Sequence, residues 1–250
     1  MFMDRFAGPH SVGPLLFRRL MNDIVETKTI QKKKVIVYVD GFNLYRGCLK
    51  GTKYRWLDLA KLSRQLLSDE YEVVKIYYFT AMVVDLGQAG STTRQGYYLT
   101  ALKTLPNLEV CLGKFKKREK TVYVEPPLKI VNENPFSGDH RPLEKKLVKG
   151  VSYEEKGTDV NLAVQLIIDL YEEKFDVAMV LSNDSDYLSA LAKVREKEKG
   201  LFVINTKLGQ LPQHEMRRFS MGKKVLTEEK LKLSQFPALV GNIRIPKEWE

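Results

Sequence analysis

The sequence predicts an α/β fold, a mostly parallel five-stranded sheet with helices on both faces. Two observations carry this expectation. Short runs of β-branched and aromatic residues without polar alternation, such as "VIVYV" and "DVAMVL", read as strands buried on both faces. Segments of helical periodicity separate these runs, and strand–helix alternation is the pattern of a parallel sheet.

The elements follow in order. Residues 1–33 show no clear periodicity and read as a loosely attached extension with a short helix near 14–25. "VIVYV" (35–39) is the first and central strand. "WLDLAKLSRQLL" repeats apolar residues at helical spacing. "VVKIYYFTAMV" is the second strand, "TRQGYYLTALKTL" a helix and "NLEVCLGKF" the third strand. Residues 114–153 break the rhythm with Pro, Gly, Asn and many Lys, and read as a β-hairpin insertion or a partly mobile loop. The pattern returns in "GTDVNLAVQLIIDLYEEKF". There Val160, Ala163, Val164, Ile167, Leu170 and Tyr171 are expected to form the apolar face, with Thr158 as N-cap. "DVAMVL" is the fourth strand, "DYLSALAKVREKEKG" a helix closed by Gly200, and "LFVIN" the fifth strand. "LPQHEMRRFSM" and "TEEKLKLSQF" read as short helices in a closing segment over 207–250.

Composition narrows the function. The chain has 250 residues, an apolar content of 44% and a net charge of +10. That is enough apolar material for a core, and the charge points to an anionic partner, nucleic acid first. Many soluble proteins are equally basic, so charge alone does not decide. Cys48 and Cys111 give no metal spacing and read as small buried hydrophobes, and three histidines make a His/Cys zinc site a poor expectation. No apolar stretch approaches the roughly 20 residues of a membrane span. The first residues lack a signal-peptide pattern, so a cytoplasmic setting is expected.

Four aspartates carry the chemical signal. Asp40 ends the first strand, and Asp184 and Asp186 follow the fourth. Asp159 opens the helix that leads into the fourth strand, and such a helix starts at the carboxyl edge of a parallel sheet. All four are therefore expected at one edge, where ligands of such sheets sit. Singly, each has a structural explanation: "DG" is a common turn pair, and the others suit a helix cap or first turn. Together, four like charges repel unless a cation offsets them, and Mg²⁺ or Mn²⁺ prefers carboxylate oxygens and water. Rival motifs fail. There is no GxGxxG, GxxxxGK[ST] or GxSxG. Phe42 stands where a haloacid-dehalogenase-type loop needs its second Asp.

"VIVYVDGFNLY", "KGTDVNLAVQLIIDLYEEKFDVAMVLSNDSDYLSAL" and their order resemble the NYN domain, in particular its LabA-like branch, within the PIN-like nuclease superfamily. The hallmarks are D-G-x-N after the first strand, K-G-x-D opening a middle helix and S-x-D-x-D after the fourth strand; "RQGYYLTAL" and "VCLG" match less specifically. The resemblance covers about residues 34–206. It implies a Rossmann-like three-layer sandwich and a Mg²⁺- or Mn²⁺-dependent ribonuclease site. Asp40, Asp159, Asp184 and Asp186 match the acidic, metal-holding positions. Asn43 matches an Asn that orients the first loop or a bound water, and Ser182 a small hydroxyl residue at the last motif, where it is a candidate RNA contact. Asn183 departs from a frequent Gly, and its tolerance of left-handed backbone is expected to keep the turn.

The resemblance further implies cleavage that leaves a 5′-phosphate and a 3′-hydroxyl. In "KFKKREK", Lys114, Lys116, Lys117 and Arg118 are candidates for phosphate contact, with Phe115 for stacking; a solvated loop is the plain alternative. Lys156 could touch RNA or organise the acids. The rival functions are a non-catalytic RNA-binding module and a small-molecule phosphatase on a similar sheet. Nothing in the residues speaks against a homo-oligomer.

Overall fold

In a computed structural model of the chain, residues 31–84, 90–130 and 143–249 are described. The helix expected near 14–25 lies outside them.

The central sheet has five strands: β1 (Lys33–Asp40), β2 (Tyr71–Thr80), β3 (Leu108–Leu112), β6 (Val177–Leu181) and β7 (Gly200–Ile204). Their order is β3-β2-β1-β6-β7, and every pair is parallel. The expected fold class is therefore the observed one. β1 is central because its run from Val35 to Val39 is buried on both faces. Alternate residues feed two cores. Val35, Val37 and Val39 pack with Trp56, Leu62 and Tyr98, from α2 (Leu59–Leu66), the segment before it and α3 (Ser91–Leu102). Ile36 and Tyr38 pack with Leu162, Leu166 and Leu191, from α4 (Thr158–Tyr171) and α5 (Leu188–Glu196). After β1 the chain moves to β2 on one side, and β6 returns on the other. This makes the gap between the carboxyl ends of β1 and β6 a topological switch point.

Three local expectations need correction. The buried face of α4 is Leu162, Leu166, Asp169 and Leu170; Val160, Val164 and Tyr171 are exposed. An aspartate hides in that face because its charge is fully partnered. Asp169 accepts from Tyr38 Oη at 2.8 Å and Gln165 Nε2 at 2.9 Å, and Lys174 Nζ lies 3.2 Å away. Thr158 is the first residue of α4 and does not cap it, since its hydroxyl has no partner among the described residues. Gly200 likewise does not close α5. Glu198 takes the left-handed backbone there (φ 57°), and Gly200 opens β7, where an added Cβ would meet Val177 Cγ2 at 2.7 Å.

Of the two readings for 114–153, the hairpin is the observed one. β4 (Lys114–Ile130) pairs antiparallel with β5 (Leu143–Lys156). Its register slips between Tyr123 and Leu128, around Pro126 and Pro127, which cannot donate to the ladder. The closing segment holds two short helices, His214–Arg217 and Glu228–Leu233. No described helix is long and apolar enough to cross a membrane.

Candidate functional site

Asp40 is the last residue of β1 and is only 7% exposed. Its carboxylate does two things at once. Oδ1 accepts from the backbone N–H of Asn43 at 2.9 Å and so caps α1 (Gly41–Leu44). Oδ2 accepts from Ser182 Oγ at 3.1 Å and Tyr187 Oη at 3.2 Å, across the switch point. Asn43 is the second tie. Its Oδ1 accepts from the Asn183 backbone N–H at 3.1 Å and from Thr206 Oγ1 at 2.6 Å. The loops after β1, β6 and β7 are thus locked together by two side chains of the D-G-x-N motif.

Asp184 caps the next turn, accepting from the Asp186 backbone N–H at 3.0 Å, while its own N–H donates to Ser182 Oγ at 3.1 Å. Capping does not remove these aspartates from a shared pocket. Asp40, Glu155, Asp159 and Asp184 line one pocket of about 360 Å³, with Asn43, Asn183 and Tyr187. Arg46 and Lys207 also line it.

The electrostatics follow from burial. Desolvation pushes the Asp40 carboxyl above the ordinary carboxylate range. The donors Asn43, Ser182 and Tyr187 pull it back, and the charge of Glu155 adds to the rise. The Tyr187 phenol is pushed far up by burial first, then by Asp40, with Asp184 and Asp159 contributing. It stays a neutral donor, and it feels three of the four expected acids.

The sequence-derived residues divide as follows. Asp40, Asn43, Asp159 and Asp184 share the pocket; Asp186 is exposed and does not line it. Ser182, expected at the RNA surface, is fully buried, so it can orient Asp40 but cannot touch a ligand. Asn183 has no left-handed backbone. Lys114, Lys116, Lys117, Arg118 and Lys156 are exposed on the hairpin. Strand alternation puts Lys117 on the face of Phe115, which packs edge-on against the pocket residue Phe42 at 5.7 Å. Lys114, Lys116, Arg118 and Lys156 fall on the other face. Glu155 and Tyr187 were missed. Glu155 reaches the pocket through the register Phe115↔Glu155, which no local pattern reveals.

The donor set suits a hard cation. Among the described residues no three Asp, Glu, His or Cys side chains converge closely enough to enclose one. The lining is nevertheless rich in oxygen, and three buried oxygens in it lack a partner among the described residues: Glu155 Oε1, Thr158 Oγ1 and Asn183 Oδ1. Oxygen ligands of this kind, with four carboxylates among them, fit the chemistry of Mg²⁺ or Mn²⁺ and its waters.

One comparison with known proteins shows the family. The family model described as NYN domain matches residues 34–218. The chain is 34% identical over 178 residues to a Pseudomonas putida protein named 6-hydroxy-3-succinoylpyridine 3-monooxygenase. That match covers 64% of this chain and 54% of the relative, so the chain spans about half the length of the curated relative it matches. A crystal structure of a Vibrio parahaemolyticus protein of unknown function superposes with a TM-score of 0.43 at 18% identity, covering 76% of this chain and 91% of that one.

Proposed function

The chain belongs to the NYN domain family, and from that premise we propose that it is a metal-dependent ribonuclease that hydrolyses RNA phosphodiester bonds at the Asp40 pocket. One observation carries the reading: four carboxylates and three orphaned oxygens line a single pocket at the switch point of a parallel sheet.

Asp40, Asp159 and Asp184, with Glu155 in place of the outlying Asp186, would hold Mg²⁺ or Mn²⁺. Bound there, the ion supplies charge neutralisation at the phosphate and a more acidic water. The chain's own residues do the rest. Ser182 and Tyr187 fix the Asp40 carboxylate, and Asn43 fixes the loops that carry it. Asp159, in the first turn of α4, orients the attacking water. Arg46 and Lys207 contact phosphate without reading sequence. Water adds to phosphorus, the bond to the 3′-oxygen breaks, and the products carry a 5′-phosphate and a 3′-hydroxyl. The hairpin supplies further basic contacts, with Phe115 and Phe42 as edges for an unpaired base. The pyridine oxygenation named for the Pseudomonas relative stays with that longer protein; the carboxylate lining supports hydrolysis here.

The test is incubation of purified protein with single-stranded and structured RNA in Mn²⁺, Mg²⁺ or EDTA. The expected result is cleavage with divalent ions, none in EDTA, and 5′-phosphate ends. Cleavage undiminished by EDTA, or intact RNA under all conditions with a folded protein, overturns the proposal.

A further inference from the structure

A second pocket, of about 280 Å³, lies on the other side of α1, with Phe42 bordering both. Its walls are aromatic: Phe42, Tyr45, Tyr78, Tyr98 and Trp249. Two of its polar groups are donors without partners among the described residues, Arg55 Nε and Trp249 Nε1. Trp249 is only 8% exposed, so its indole N–H has little access to water. A buried donor left unmade costs roughly 1–3 kcal/mol. Here two such donors border the same cavity.

Their arrangement selects a ligand. The Arg55 guanidinium lies 5.3 Å from the Trp249 ring centroid, and its Nη2 donates to the Glu248 carbonyl, which leaves Nε unused. Guanidinium and indole N–H groups can only donate. Their complement is an acceptor-only group, and a carboxylate is the simplest one. Most nucleobase edges mix donors with acceptors, and those that offer two adjacent acceptors, such as guanine O6 and N7, carry no charge. The charge agrees. Arg55 and Arg94 line the pocket, and Glu248 Oε1 sits 3.4 Å from Arg94 Nη1. Burial pushes the Tyr78 and Tyr98 phenols well up, so neither adds a negative charge. The Tyr98 hydroxyl is already committed to the Leu57 carbonyl at 2.9 Å. What remains for the ligand body is ring surface, in a cavity sized for one ring.

We propose that this pocket binds a small planar aromatic carboxylate. Its ring lies among the aromatic walls, and its carboxylate accepts from Arg55 Nε and Trp249 Nε1. The site does not depend on RNA cleavage.

The test titrates the full chain with benzoate and nicotinate, then with benzamide, nicotinamide, cyclohexanecarboxylate and adenosine, by calorimetry and ligand-observed NMR. Both aromatic acids should bind saturably. The amides, which replace one acceptor oxygen by a donor, should bind roughly tenfold or more weakly, as expected for losing a hydrogen bond to a charged group. Cyclohexanecarboxylate should bind more weakly than benzoate. Trp249→Phe keeps an aromatic ring, smaller than the indole, and removes the N–H. It should weaken the acids and leave the amides nearly unchanged, with the ligand-free melting temperature retained. Absence of saturable binding by both acids overturns the proposal, as does equal affinity for acids and amides, or tighter binding of adenosine. If Trp249→Phe fails to fold, the ligand series on the unaltered protein decides alone.

Discussion

The two pockets that flank α1 have opposite chemistry. On the Asp40 side the buried atoms without partners among the described residues are oxygens, the acceptors Glu155 Oε1 and Asn183 Oδ1 and the hydroxyl Thr158 Oγ1. On the Trp249 side they are donors, Arg55 Nε and Trp249 Nε1. Buried polar atoms in proteins are nearly always satisfied, so each set describes a missing partner. Acceptors beside carboxylates call for a cation; donors beside arginines call for an anion. Residues 40–42 separate the two environments: Asp40 lines the first pocket, Gly41 the second and Phe42 both. Gly41 is required there, because a Cβ would lie 2.7 Å from Tyr78 Cζ.

The largest effect that would separate the two sites is Asp40→Asn. RNA cleavage should fall at least about 100-fold, the rate equivalent of several kcal/mol of lost charge stabilisation. Benzoate affinity should stay as it was. Asn retains an oxygen for the Asn43 cap, so the fold should persist. Full cleavage by a folded, purified variant would remove Asp40 from the chemistry. Loss of both activities together would merge the two pockets into one functional unit.

Tyr187→Phe comes next. It deletes one donor to Asp40 Oδ2 while keeping the buried ring. Loss of an orienting hydrogen bond of this kind typically costs on the order of tenfold. It also removes a contact that favours ionised Asp40, so the acidic limb of the pH–rate profile should move to higher pH. A smaller rate with an unmoved profile would mean that Tyr187 serves packing alone.

How much of this was readable in the chain depends on distance along it. "VIVYVD" and "VLSNDSD" announce their sites locally: a buried run gives the strand, and the polar residue after it must sit at the carboxyl edge. The five parallel strands follow from the same logic. The buried face of α4 did not, because Asp169 is completely buried while Val160 and Val164 face solvent, and only Tyr38, Gln165 and Lys174 explain why. Glu155 depends on the hairpin register, and Arg55 meets Trp249 from 194 residues away. Such long-range pairings leave no periodic trace.

The pH dependence of stability tests the charge on the Asp40 side. Burial raises the folded-state pKa of Asp40 above its unfolded value near 4. Between those values the native state holds the extra proton, so in EDTA stability should fall as pH rises through that window. Asn at position 40 cannot titrate. Melting temperatures of wild type and Asp40→Asn in EDTA, from pH 4 to 8, should therefore diverge, with the variant higher at neutral pH. Added Mn²⁺ should stabilise the wild type more than the variant. Parallel melting curves would show that the Asp40 charge is already compensated within the protein.

The smallest effect concerns the hairpin, and it asks whether RNA reaches the Asp40 pocket along one face. Lys117 shares the face of Phe115 and Glu155, which meet the pocket through Phe42 and directly. Lys116 is one residue earlier on the strand, so its side chain projects from the opposite face. Both are exposed lysines in the same strand, so a solvated ribbon would treat them alike. If a single strand of RNA lies across the Phe115 face, Lys117→Ala should flatten the dependence of log affinity on log salt by roughly 0.7, one lost phosphate contact. Lys116→Ala should leave that slope unchanged. The ratio of the two slopes needs no knowledge of sequence preference, because phosphate contacts carry none. Equal flattening by both would mean that RNA wraps the ribbon's edge and not one face. Flattening by neither would return the hairpin to a solvated role and leave Arg46 and Lys207 as the cationic contacts of the site.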